Sequence, residues 1–259
     1  MLRVSHLNFS YGDTPILRDI SFELAASQSV CLLGKNGVGK STLFKLLLGI
    51  KPSVGCVFLE GRDVSKMSRK EIAAMISYIP QTQKSTHQFT VFEMVLMGRT
   101  ANFQAVRQPG KADYQVVEQA LELLSIGRLR QRLFCDLSGG EQQLVIIARS
   151  VAQESRVFIM DEPCANLDYS NQLMVLKMIR RLVAEGYLII QATHDPNHAL
   201  QYADHVLLLQ EGTLTANDHP EVVLTSKNLS ELYQVPIEVH ALADRRKVCL
   251  PSQQDKEVS

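Results

Sequence analysis

The segment Gly34-Lys35-Asn36-Gly37-Val38-Gly39-Lys40-Ser41 constrains the fold more than any other part of this chain. An apolar run, Ser29–Leu33, leads into it, and a run with helical apolar spacing, Lys40–Gly49, leads out. Leu43, Phe44, Leu46, Leu47 and Leu48 give that helix a deeply buried face. A glycine loop between a buried strand and a helix is suited to holding phosphate. Gly34, Asn36, Gly37 and Gly39 lie where backbone N–H groups can approach phosphate oxygens, and the helix start adds a partial positive charge. Lys40 is expected to reach the β- and γ-phosphates of a nucleotide. The Ser41 hydroxyl is expected to ligate Mg²⁺, and Thr42 to bring a second hydroxyl near the α-phosphate.

Strand and helix signals alternate on either side of a helical block. Short strands are expected at Arg3–Phe9, Ser21–Leu24, Cys56–Leu59 and Ser77–Ile79, with a turn at residues 51–55. From about Thr90 to Arg132 the pattern is helical, broken by a loop at Ala101–Gly110. A strand at Arg156–Met160, a helix at Ser170–Glu185, a strand at Tyr187–Thr193, a helix at Pro196–Tyr202 and a strand at His205–Gln210 follow. Such alternation argues for an α/β fold with a mostly parallel sheet. The tail from Asp218 is expected to carry one or two short helices and to fray from Pro251 to Lys256.

Bulk properties exclude several classes. The 27 Lys and Arg balance the 27 Asp and Glu, so no basic footprint points to nucleic acid. No apolar segment is long enough to cross a bilayer, and the first residues lack the apolar core of a signal peptide. Cys31, Cys56, Cys135, Cys164 and Cys249 are odd in number, scattered and without a CxxC pair, which reads as reduced thiols.

Three further groups carry chemistry. Asp161 and Glu162 end an apolar strand, where ligands gather in parallel sheets. Asp161 is placed to hold the Mg²⁺ shell and Glu162 to take a proton from an attacking water. His194 ends the next strand, and its imidazole is suited to a γ-phosphate contact. Ser138, Gly139 and Gly140 precede a helix from about Glu141 to Gln153. By itself that run is an ordinary helix cap. Beside a glycine loop it also reads as a second anion cradle, made of a hydroxyl, bare backbone N–H groups and a helix dipole.

The glycine loop, Leu137-Ser138-Gly139-Gly140-Glu141, Asp161-Glu162 and His194, in their order along the chain, resemble the ATP-binding-cassette ATPases over about residues 2–215. The resemblance implies a P-loop NTPase core with an N-terminal antiparallel β portion. It implies one domain over residues 1–259, with a helical subdomain inserted at about 85–153 and a C-terminal extension at about 218–259. Tyr11 resembles the aromatic that stacks on adenine. Gln81 resembles the glutamine that joins the Mg²⁺ site to the helical lobe, and Ala165–Asp168 the segment crossing a dimer interface. Ser41, Gln81 and Asp161 would then share the Mg²⁺, partly through water. A homodimer is implied, the signature of one copy closing on ATP held by the other.

The segments Thr90–Arg99, Leu224–Leu229 and Val248–Pro251 are similar to the importer branch for iron–siderophores, haem and vitamin B12, some of whose members carry molybdate. Separate integral membrane permease subunits and, indirectly, a substrate-binding protein are then implied, with this chain peripheral to the cytoplasmic face of the inner membrane. An exporter ATPase, a soluble cassette protein or a non-catalytic module are the competing readings. Three positions depart from the family pattern: Glu141 for a usual Gln, Leu144 for a usual Arg or Lys, and Cys164 for a usual Thr or Ser.

Overall fold

Leu2 and Val4 alternate with more exposed neighbours in β1 (Leu2–Tyr11), a register shift before Leu7 keeps that residue buried as well, and a tight turn at Gly12 (φ +55°) folds β2 (Thr14–Leu24) back against the strand. A computed structural model describes residues 1–81, 88–102, 108–244 and 246–252. These fall into two compact units, Met1–Ser65 with Ile190–Ser259, and Lys66–Ile189.

In the first unit, β4 (Val54–Leu59) pairs antiparallel with the other side of β1, and the short β5 (Arg62–Asp63) adds to β4. This is the expected N-terminal antiparallel portion, but β2 is much longer than the Ser21–Leu24 strand foreseen. Pro15, Arg18 and Asp19 obscured its first half; β2 is an edge strand, where proline and charge are tolerated.

A second sheet forms around β3 (Ser29–Leu33), all five residues of which are buried. β9 (His205–Gln210) runs parallel to it, from Val30 opposite His205 to Leu33 opposite Leu208. β10 (Thr213–Asp218) returns antiparallel on β9, and β8 (Leu188–Thr193) flanks β3 on the other side. β3 feeds α1 (Lys40–Leu47), which buries Leu43, Phe44, Leu46 and Leu47 as the periodicity required.

After β8 come α7 (Pro196–Tyr202), α8 (Pro220–Val223) and α9 (Ser226–Tyr233), then a hairpin of β11 (Ile237–Ala241) and β12 (Lys247–Pro251). The two short tail helices were foreseen, whereas β10 and the hairpin were not. Pro251 pairs with Ile237 and Ser252 N–H donates to the Pro236 carbonyl at 3.0 Å, so the chain is still paired where fraying was expected. The rest of that stretch, from Gln253, lies outside the described residues.

In the second unit, α2 (Arg69–Met75) starts in a reciprocal capping box between Ser68 and Glu71. β6 (Ile76–Ile79) runs parallel to β7 (Val157–Asp161), and β8 opens beside β7 with the residues Leu188 and Ile189 that belong to this unit. The expected helical block is α3 (Val91–Leu96) and α4 (Lys111–Leu123), both packed on α5 (Gly139–Ala152), with α6 (Tyr169–Ala184) against α5 as well. The loop expected at residues 101–110 opens in a short 3-10 turn, Met97–Asn102, and its middle, 103–107, lies outside the described residues.

Arg99 pins this block. It is 8 % exposed, and its guanidinium donates to Asp113 at 3.2 Å, to the Ala152 carbonyl at 2.7 Å and to Glu154 at 2.6 Å. Asp113 is itself buried and also accepts the Gly110 N–H at 2.9 Å, at the start of α4. One side chain thereby joins the segment after α3, the first turn of α4 and the end of α5. Removing one partner of a buried ion pair leaves the other charge uncompensated, typically at about 3–5 kcal/mol. Arg99→Ala should therefore lower the urea midpoint by an amount matching roughly that loss, and Arg99→Lys, which keeps charge without the fork, should fall between. An unchanged midpoint in Arg99→Ala would show that the helical block is held without this pin.

Candidate functional site

In the first unit the glycine loop follows β3 directly. Gly34 passes so close to β9 that a Cβ there would stand 2.7 Å from the Leu209 carbonyl oxygen. Gly37 (φ +79°) and Gly39 (φ +116°) take left-handed backbone that side chains resist. Gly39 is the N-cap of α1 and has no side chain to place over the first turn. Lys40 is buried; its ammonium donates to the Gly34 carbonyl at 2.7 Å and to the Lys35 carbonyl at 3.3 Å, across the loop it belongs to. Ser41 and Thr42 follow within the first turn of α1.

Tyr11 ends β1, 43 % exposed, edge-on to Phe9 and with the Lys51 ammonium 5.3 Å from its ring centre. His194 lies just past β8 with its side chain exposed. Its carbonyl accepts the Tyr233 hydroxyl at 2.8 Å. Asp195 then caps α7 through the Asn197 N–H at 2.8 Å. His198, in α7, is largely buried, 3.5 Å from Asp195. Burial lowers its imidazole pKa, the Asp195 charge opposes this, and His194 adds a further lowering.

In the second unit β7 ends in Asp161, itself buried, and Glu162 takes left-handed backbone (φ +52°). Strain of that kind in a residue other than glycine gathers at functional sites. The Gln81 amide nitrogen donates to the Glu162 carboxylate at 3.1 Å, so two residues 81 positions apart in sequence meet here. The Tyr78 hydroxyl reaches Asp161 at 3.5 Å. Burial, then the Asp161 charge, then this contact push the Tyr78 phenol up to about 12. Tyr78 was missed in the sequence; the signal was a polar-capable aromatic in the strand two residues short of Pro80. Taken residue by residue, the donor types suit Mg²⁺: in this unit a carboxylate at Asp161 and, with its nitrogen turned to Glu162, an amide oxygen at Gln81, and in the first unit a hydroxyl at Ser41.

The signature residues also lie in the second unit. Ser138 is the N-cap of α5 in a capping box: its hydroxyl accepts the Glu141 N–H at 3.3 Å and donates to the Glu141 carboxylate at 3.2 Å. Arg128 sits 3.3 Å from the same carboxylate. A Cβ on Gly140 would overlap the Asn171 side chain, whose own Cβ would be only 2.7 Å away. A Cβ on Gly139 would sit 3.2 Å from the end of the Leu167 side chain, a tight contact rather than an overlap. Asp168 caps α6 by accepting the Asn171 N–H at 2.8 Å and holds the Asn171 amide at 3.0 Å. These bonds, with that of Ser170, hold its carboxyl below the usual range. The signature thus packs on the segment Ala165–Asp168 and the start of α6. Leu144, where the family pattern has a cation, is buried in α5, and Cys164 is buried too, a packing residue.

Residues 17–165 match the family model described as ABC transporter. The chain is 38 % identical to an uncharacterized ABC transporter ATP-binding protein of Haemophilus influenzae, over 92 % of this chain and 91 % of that one. It belongs to the ABC transporter ATP-binding family. Membership makes it an ATPase, and nucleotide is its substrate. The molybdate import ATP-binding protein MolC of Haemophilus influenzae is 34 % identical over 91 % of this chain and 89 % of its own length. The iron(3+)-hydroxamate import ATP-binding protein FhuC of Bacillus subtilis is 32 % identical, with 92 % and 89 % covered. Among solved structures, a protein described as a metal-chelate type ABC transporter, in an inward-facing conformation, superposes with a TM-score of 0.86 at 31 % identity, with 98 % of both chains covered. The α/β architecture expected from the sequence is the ABC ATPase fold of that structure.

The packing at Gly140 leads to a direct test. Gly140→Ala forces a methyl group into Asn171, and overpacking of this kind typically costs about 1–3 kcal/mol. Thermal unfolding should shift down, and Asn171→Ala in the same chain, which removes the amide but leaves a Cβ 2.7 Å away, should restore only part of the loss. If Gly140→Ala melts with the wild type, α5 and α6 are not in the contact described.

Proposed function

We propose that this chain is the ATP-hydrolysing subunit of a membrane importer, acting as a homodimer beneath separate integral membrane permease subunits. The observation that carries the reading is near-full-length similarity, above 30 % identity, to import ATPases. Their cargoes differ, a chelated metal in one and an oxyanion in the other, so the cargo of this chain is proposed as a metal chelate of the siderophore, haem or cobalamin type or an oxyanion such as molybdate. A substrate-binding protein would deliver it, and the ATPase would sit peripherally on the cytoplasmic face of the inner membrane. No helix among the described residues is long and apolar enough to cross a membrane, which agrees with permeases on separate chains. The whole chain is read as one ABC ATPase domain, with residues 85–153 its helical subdomain and 218–259 its extension.

In this reading Lys40 turns its ammonium from the loop carbonyls to the β- and γ-phosphates. The backbone of Gly34, Asn36, Gly37 and Gly39 cradles the same oxygens, Thr42 adds its hydroxyl, and Tyr11 stacks on the base. Mg²⁺, held by Ser41, Asp161 and Gln81, would neutralise charge on the phosphate oxygens. Glu162 takes the proton of the attacking water while Gln81 holds its carboxylate, and His194 donates to the γ-phosphate. Ser138, Gly139 and Gly140 of the second copy close the site, and opening after hydrolysis is passed to the permease.

Glu162→Gln should bind ATP and turn over slowly, since a positioned general base is typically worth about 10²–10⁴ in rate. Light scattering should then show an ATP-dependent dimer; wild-type turnover in this variant would remove Glu162 from the role of base. Ser138→Arg should still bind ATP as a monomer but fail to pair, and mixing it with Lys40→Ala subunits should return some ATP-dependent pairing through the one composite site free of both lesions. Loss of monomeric ATP binding in Ser138→Arg alone would mean that the signature acts within its own chain.

A further inference from the structure

We infer that the C-terminal extension is a clamp on the His194 turn and that Tyr233 is a positioning residue for His194. The inference rests on the proposed γ-phosphate contact of His194, and goes beyond it by giving the extension a part in hydrolysis.

Four observations meet at this place in the first unit. The Tyr233 hydroxyl, 39 residues further along the chain, donates to the His194 carbonyl at 2.8 Å. Asn197, in the first turn of α7, accepts the Cys249 N–H at 2.8 Å and donates to the Cys249 carbonyl at 3.2 Å, so its amide pairs with β12 as a strand edge would. The hairpin that carries Cys249 is in turn tied to α9. Ser230 accepts the Ile237 N–H at 2.8 Å and Ser226 accepts the Val239 N–H at 2.9 Å. Finally, Leu232 and Gln234, on either side of Tyr233, line a cavity of about 240 Å³ together with Lys35, Asn36, Gly37 and Val38 of the glycine loop.

The end of α9 therefore touches the turn that carries His194 and borders the loop that would hold the phosphates. Burial first, then the Asp195 charge and Cys249, hold the Tyr233 phenol well above its usual range, which keeps it a donor across the working pH range. The second anchor engages only the Cys249 main chain, and burial, then Asp195, push its thiol up to about 11. A donor fixed to the main chain of residue 194 sets where its imidazole stands, and catalysis is sensitive to such placement. Neither Tyr233 nor Asn197 lines the cavity beside the glycine loop, so binding should be spared when either is changed.

The test uses the full chain and four proteins: wild type, His194→Ala, Tyr233→Phe and the double variant, read as kcat, KM for ATP and melting temperature. Loss of a donor to a developing phosphate charge is expected to lower kcat by about 10²–10³-fold in His194→Ala. Tyr233→Phe removes one neutral hydrogen bond and should lower kcat about three- to tenfold, with KM and melting temperature little changed. In the double variant Tyr233→Phe should add nothing to the loss from His194→Ala, because it acts through that residue. Asn197→Ala, which frees the second anchor, should repeat the pattern and serves if Tyr233→Phe folds poorly. Wild-type kcat in both clamp variants, with His194→Ala impaired, would overturn the clamp and leave His194 in its role. Multiplicative losses in the double variant would also overturn it. Near-wild-type turnover in His194→Ala would instead overturn the γ-phosphate reading, and the clamp with it.

Discussion

Helix α1 begins at Gly39, which has no side chain to set against the N–H groups of the first turn, whereas α2, α3, α5, α6 and α9 each start from a serine, threonine or aspartate whose oxygen accepts one of them. The first turn of a helix always has N–H groups with no partner inside the helix. At most helix starts among the described residues a side chain meets that need; at α1 none does, which suits the proposed reading that a phosphate meets it. Much of the first unit follows from this. β3 is buried and holds the loop still, β9 runs close enough to exclude a side chain at Gly34, and the Lys40 ammonium is satisfied on the loop's own carbonyls.

The second unit solves a different problem, that of bringing distant side chains to one strand end. β7 is buried along its whole length, and the polar groups gather where it stops. Tyr78 comes from the neighbouring strand β6 to Asp161, and Gln81 from just beyond that strand to Glu162. The left-handed turn at Glu162 costs about 1–2 kcal/mol in a residue with a side chain, and it is held by the Ala165 N–H, which donates back to the Glu162 carbonyl at 3.0 Å.

What could be read from the sequence was whatever is encoded within a few residues. The glycine loop, the strand ending in Asp161 and Glu162, and the helix after Ser138 are contiguous patterns, and α1, α7 and β9 fall where spacing placed them. α2 was missed although its Ser68-x-x-Glu71 cap is a local signal, because a seven-residue helix shows too few turns for its apolar face to stand out. The first half of β2 was hidden by its charges, and those charges make sense only once β2 is known to be an edge. The contacts of Tyr78, Asn171 and Tyr233 are of another kind: each depends on which elements are neighbours, which no window of residues contains. The Thr90–Arg99 block lies between the two. It was legible as a likeness to chelate importers, but its residues are spent on a cap at Thr90, on the buried Val91, Met94 and Val95, and on the Arg99 pin. That likeness describes how a helical lobe is assembled and is silent on cargo.

The serine that starts α5 is committed before any anion arrives. Its hydroxyl hydrogen points at Glu141, whose carboxylate also faces Arg128. An anion that takes this hydrogen must first turn a negative group aside, and a cap of this type is typically worth about 1 kcal/mol. If the signature takes an anion as proposed, three side chains set the local cost of doing so in its resting state. Selectivity at this end of the molecule would then begin with what the helix already holds.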